Sequence, residues 1–166
     1  MTKTGNLILA AVVVAAIAFA AFAFLNARPA APQVTFVSLQ GEKITTAGLR
    51  GKVVLVNFWA TDCATCVKEM PEIVATHMKY RDRGFETIAV AMRHDPPNYV
   101  LNYTETRQLP FKVALDTDGS AAKSFGDVKL TPTTFVIGKD GSILKRYVGI
   151  PEFTAMHQLI EKALSV

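Results

Sequence analysis

The run VVLVNFW, Val53 to Trp59, constrains the chain more than any other stretch. Unbroken β-branched and aromatic residues, too few for a helix, describe a strand buried on both faces. Behind it, Val67, Met70, Val74 and Met78 recur at helical spacing up to Arg83, with Gly84 where a helix stops. FETIAVAM, Phe85 to Met92, is strand-like again. Strand, helix and strand in this order predict a β-α-β unit, with two parallel strands and a right-handed crossover.

The rest of the chain extends this unit within one domain, since 166 residues make one proper core and two would be cramped. VTFVSLQGEKITT alternates loosely around Gln40-Gly41 and suggests a hairpin. RHDPPNYV breaks the pattern, and Asn98 to Leu109 reads as an inserted helix with Tyr99, Val100 and Tyr103 on one side. FKVALD is a further strand, SAAKSFG a short helix, and TTFVIGKDGSILKRYVG an antiparallel hairpin around Asp140-Gly141. Phe153, Met156, His157, Ile160 and Leu164 place a last helix.

Ahead of the domain, Leu7 to Leu25 carries no charge, Gly or Pro. As a helix it spans about 28 Å, close to the hydrocarbon thickness of a bilayer. It has no polar face on which a core helix could meet water. The length favours an uncleaved anchor; small residues around Ala21 to Ala23 keep a cleaved secretory signal as the alternative. The expected division is a signal-anchor or signal peptide over 1–28, a tether over 29–33 and a domain over 34–166, on the outer, periplasmic side of a bacterial-type inner membrane. Cleavage would leave the domain soluble there. Residues 1–28 hold Lys3 and Arg28 and no acid, so the chain's 18 basic and 14 acidic residues become 16 and 14 beyond them. That balance, without a basic stripe interleaved with aromatics, gives nucleic acid nothing to bind.

Both cysteines, Cys63 and Cys66, fall where the buried strand gives way to the helix. Three readings compete: a redox pair, half a metal site, or buried hydrophobes. A bridge across so small a loop stabilises little by constraining the unfolded chain, which argues against a structural disulfide. The unpaired N–H groups and dipole of a helix start favour an anion, which suits a reactive thiolate at Cys63. Cys66, one turn deeper, would then resolve the mixed disulfide. Zinc needs four ligands, which two cysteines and three scattered histidines do not supply.

VNFWATDCATC, then KEMP, then TPTTFVIGKDG resemble the TlpA/ResA-like branch of the thioredoxin-fold disulfide oxidoreductases, over roughly Val34 to Leu164. The resemblance implies a thioredoxin-like α/β fold, a mixed central β-sheet flanked by helices. It also implies that Cys63 and Cys66 cycle between dithiol and disulfide, and that Trp59 shields the site and, with Thr131 and Pro132, binds and positions the substrate segment. Pro132 would be cis and face the cysteines, and Thr131 would offer backbone groups to an extended substrate segment. The buried Asp of thioredoxins is replaced by Asn57, which cannot titrate. Glu69, one turn after Cys66, takes the proton-handling role by the same resemblance; the alternative is a solvated helix glutamate. Pro71, inside the helix, is read as structural.

Two positions depart from the family: Asp62 stands where a Trp precedes the first cysteine, and Thr65 where a Pro precedes the second. Both touch the redox strength of the pair. Asp62 suits the helix N-cap, yet its charge opposes a thiolate at Cys63. The expected partners are disulfide-bonded proteins, with apocytochrome c or copper-site proteins implied as clients, and a membrane thiol-electron donor. A monomer without cofactor or resident metal is expected. The alternative is a copper-binding or copper-delivery protein, with His94 or Met92 as a third ligand beside the thiolates. His77 and His157 read as packing or boundary residues. Peroxide reduction is disfavoured, since Ala60 stands where a peroxidatic site needs Thr.

Overall fold

The computed structural model describes residues 11–19, 21 and 28–166. A small antiparallel hairpin, β1 (Thr35–Val37) and β2 (Lys43–Thr45), precedes the main sheet. Then come β3 (Val53–Trp59), α1 (Ala64–Tyr80), β4 (Phe85–Ala91), α2 (Pro97–Thr106), β5 (Lys112–Leu115), α3 (Ser120–Ser124), β6 (Thr133–Ile137), β7 (Ile143–Val148) and α4 (Phe153–Leu164). The five-stranded sheet has the order β5-β4-β3-β6-β7. β3, β4 and β5 are parallel, whereas β6 runs antiparallel to β3 and β7 antiparallel to β6, giving the expected mixed sheet.

Every residue of the central strand β3 is buried, as its unbroken apolar run predicts. Alternation along the strand sends side chains to opposite faces. Val53, Leu55 and Trp59 pack in one cluster with Met70 and Ile73 of α1 and Met156 and Ile160 of α4. Val54, Val56 and Phe58 pack in the other with Ala121, Ala122 and Phe125. Phe58 and Phe125 meet edge to face at 5.4 Å, an arrangement suited to the ring quadrupoles.

The buried face of α1 differs from the expected Val67, Met70, Val74 and Met78 stripe. Four residues advance a helix by about 400°, so each such step drifts about 40° off the core. Met70 is buried as expected and Val74 packs partly against the core, but Cys66, Glu69, Ile73, Thr76, His77 and Tyr80 fill the rest of the buried face, and Met78 is 45% exposed. His77 lies against Phe111 and Phe85 with Nδ1 3.2 Å from Thr87 Oγ1. Desolvation in that setting pushes its pKa below the ordinary value. Pro71 sits inside α1, which runs on to Tyr80. In α2 the helix stops at Thr106 rather than Leu109, and Tyr99 is exposed while Val100 is buried. Tyr99 and Val100 are about 100° apart around the helix axis, and only Val100 falls on the face turned to the core.

The expected tether is part of the sheet. The Pro29 carbonyl accepts from Ile143 N at 2.8 Å, Ala31 N donates to Gly141 O at 2.8 Å, and Ala30 bridges Ser142. Thr46 adds a hydroxyl bond to the Pro32 carbonyl at 2.9 Å. Of the apolar run, residues 11–19 are helical and exposed, Val12, Ile17 and Phe19 among them. Among the described residues, no helix is long and apolar enough to cross a membrane; the remainder of the expected anchor lies outside them.

Candidate active site

The cysteines sit at the C-terminal end of β3, where the chain turns into α1. Their Cα atoms are 5.2 Å apart and their sulfurs are joined as a disulfide. Cys63 is partly exposed and Cys66 wholly buried. The helix begins at Ala64, one residue later than capping by Asp62 requires, and Cys63 is itself the N-cap. Its Sγ accepts a hydrogen bond from Cys66 N at 3.2 Å. The expected cap role of Asp62 is therefore corrected. Its exposed carboxylate lies 3.6 Å from His94 Nε2 across the site's rim.

Thr65 places its Oγ1 3.3 Å from Cys63 Sγ. With the sulfur as thiolate, that hydroxyl is a second donor beside the Cys66 amide, and donors to the charged form favour it. Thr65→Val, which keeps the shape and loses the donor, should slow alkylation of reduced Cys63 by iodoacetamide about threefold at neutral pH. An unchanged rate would show that the hydroxyl leaves the thiolate unaided.

Beneath the pair, Glu69 is 1% exposed, so the solvated-glutamate reading is overturned. Asn57 Nδ2 donates to Glu69 Oε1 at 2.8 Å and to Thr134 Oγ1 at 2.9 Å. Both amide hydrogens are thereby used, and Oε1 is held as an acceptor. Glu69 Oε2 has no hydrogen-bond partner among the described residues, so it is the carboxylate oxygen left free to take up a proton. Burial raises the Glu69 pKa to about 7, the Asn57 bond opposing this only in part. The carboxyl thus changes charge near neutral pH, one helical turn from Cys66.

The sequence places Trp59 against substrate, and its burial excludes direct contact. It is 0% exposed, with its ring 5.1 Å from that of Tyr103. Thr131-Pro132 is a cis peptide at the start of β6, and the register of Thr133 with Phe58 brings it to the same end of the sheet as the cysteines. The Pro132 carbonyl accepts from Gly149 N at 2.8 Å. Among the described residues no backbone group pairs with Thr131.

Two residues of the site have no mark in the sequence. Thr134 completes the Asn57 bridge from another strand, with no local signal to distinguish it. Asp95, 4% exposed, grips the turn before the cysteines: its oxygens accept from Thr61 N and Thr61 Oγ1, each at 2.6 Å. It lies in the irregular RHDPPNYV stretch, where no periodicity singles it out. The candidate copper ligands are placed otherwise, with His94 facing Asp62 and Met92 packed under the sheet. Among the described residues no group of three or more His, Cys, Asp or Glu side chains could hold a metal ion.

The Redoxin family model matches residues 26–163. The chain is 34% identical over 132 residues to the thiol-disulfide oxidoreductase ResA of Bacillus thuringiensis subsp. konkukian, covering 80% of this chain and 75% of that one. This chain belongs to the Redoxin family, as a ResA-like thiol-disulfide oxidoreductase. ResA of Bacillus subtilis is 32% identical over 127 residues, 76% of this chain and 70% of its own. Among solved structures, a thiol:disulfide interchange protein of the thioredoxin family from Chlorobium tepidum superposes with a TM-score of 0.75 at 28% identity, over 83% of this chain and 97% of the other. In a ResA-like oxidoreductase the partly exposed sulfur is the one a partner can reach. That sulfur here is Cys63.

Proposed function

We propose that this oxidoreductase works as a protein disulfide reductase outside the cytoplasm, held at the membrane by residues 7–25. The observation that carries the reading is the pairing of an accessible, helix-capping sulfur with a buried carboxyl that titrates near neutrality. The Cys63 thiolate attacks one sulfur of a client disulfide, the client's other sulfur leaves as thiolate, and a mixed disulfide forms. Glu69 takes the proton of Cys66 through Oε2. The Cys66 thiolate attacks Cys63 Sγ, the second client sulfur leaves, and the Cys63–Cys66 disulfide closes. A dithiol on a membrane-bound donor returns the two electrons.

The unpaired backbone of Thr131 supports a role in holding an extended client segment beside Cys63, with Pro132 shaping that surface. Asp62 and Thr65 give the rim a polar character and tune the pair. Apocytochrome c and copper-site proteins fit as clients, their exposed cysteine pairs being the substrate chemistry required. Residues 11–19 support the anchor, because an apolar helix exposed on all sides needs an apolar solvent.

The deciding experiment is the equilibrium reduction potential of the Cys63–Cys66 couple against a thiol buffer, with Cys66→Ser as blank. The expected value is near that of thioredoxin, about −270 mV; a value near about −120 mV would make the protein an oxidant and overturn the reductase reading.

A further inference from the structure

Where the chain leaves the domain decides which way the redox pair can point. Residues 29–31 are pinned to Gly141–Ile143 by the two backbone bonds and the bridge described above. Ile143 pairs with Ile137, and Ile137 with Val54, at the beginning of β3. The cysteines follow the other end of β3. Seven strand residues at about 3.3 Å each separate the two ends by roughly 20 Å.

The chain from Leu25 to Arg28 spans at most about 11 Å, so the pinned end cannot lift far from an anchored helix. This end has its own chemistry. Arg28, Lys139 and Lys162 line one cavity with Asp140 and the terminal Val166, and Arg50 Nη1 donates to the Asp140 carbonyl at 2.9 Å. Among the described residues Arg28, Arg50 and Lys162 form no salt bridge. Basic groups close to a bilayer are drawn to anionic headgroups within a Debye length.

We infer that the end of the sheet carrying Arg28, Arg50 and Lys162 is a lipid-facing surface that rests on anionic headgroups. The Cys63–Cys66 face then points away from the bilayer. This inference rests on residues 7–25 acting as an anchor. It requires clients and electron donor alike to bring their sulfur atoms to a site held above the membrane.

The sole tryptophan, Trp59, lies at the redox end and serves as a built-in reporter. The full chain is reconstituted in phosphatidylglycerol-containing vesicles doped with a headgroup-attached quencher. Trp59 emission should be almost unquenched, whereas the indole introduced by Ser165→Trp, beside the Lys139 end, should lose at least half its emission. Arg50→Glu with Lys162→Glu, or vesicles of phosphatidylcholine alone, should narrow that contrast. Equal quenching of both indoles in chain that withstands a carbonate wash would overturn the orientation alone. A contrast indifferent to lipid charge and to the double substitution would overturn the headgroup contact. Release of the chain by the wash would overturn the anchor and, with it, this placement.

Discussion

Replacing Cys63 by serine abolishes disulfide reduction down to the uncatalysed background, while Cys66→Ser leaves the first attack intact and accumulates a mixed disulfide with the client. The difference follows from access. Cys63 is partly exposed at the helix start, and Cys66 is 0% exposed, so a bulky protein disulfide can approach only the first. The Cys63 sulfur also accepts from the Cys66 amide at 3.2 Å, a bond that a thiolate there would keep. Non-reducing electrophoresis of each variant with a disulfide-bonded client reads the result directly. Equal trapping by both variants would refute the assigned order of attack.

Glu69→Gln should produce the largest change in pH dependence, and its sign can be worked out. The carboxyl titrates at about 7 in the folded domain against 4.5 when unperturbed, because burial penalises the charged form. A raised acid contributes stability that is fully present below the unfolded value, pH 4.5, and is lost as pH rises through the folded value, about 7. That loss amounts to about 3 kcal/mol in the native protein, since each pH interval of one between the two values is worth about 1.4 kcal/mol. The glutamine variant lacks it. Chemical denaturation should therefore find the variant about as stable as native protein at pH 4 and about 3 kcal/mol more stable at pH 8. The same substitution removes the acceptor for the Cys66 proton, so exchange at neutral pH should slow about a hundredfold and lose its inflection near pH 7. Matching stability curves for the two proteins would show that the fold does not raise the Glu69 pKa and would overturn its proton-handling role.

Much of this architecture is legible locally. The β-α-β unit around Cys63 and Cys66, the Asp140-Gly141 hairpin and the closing helix all follow from periodicity and turn residues, because neighbours in sequence decide those features. What fails is finer or farther. Met78 matches a helical spacing, but repeated steps of four leave the core, and His77 takes the buried position instead. Asp62 is a good capping residue by type, but the helix begins one residue too late for it. Trp59 lies deeper than a substrate contact requires because a motif names a residue without fixing its depth. The Asn57–Glu69–Thr134 bridge joins residues up to 77 positions apart, and only the β3–β6 pairing reveals it. Asp95 likewise meets Thr61 across 34 positions.

That the reacting sulfur is also the cap of α1 has an energetic corollary. Helix and redox couple draw on the same hydrogen bond, so they cannot be adjusted independently. Whatever the Cys66 amide gives to a charged sulfur at Cys63 beyond what it gives to a bridged one stabilises the dithiol form alone. Thermodynamic closure then turns this preference into millivolts, about 30 for each 1.4 kcal/mol in a two-electron couple. A substitution that loosens the first turn of α1 should weaken the fold more in the reduced protein than in the oxidised one, and the gap between the two losses should equal the drop in potential.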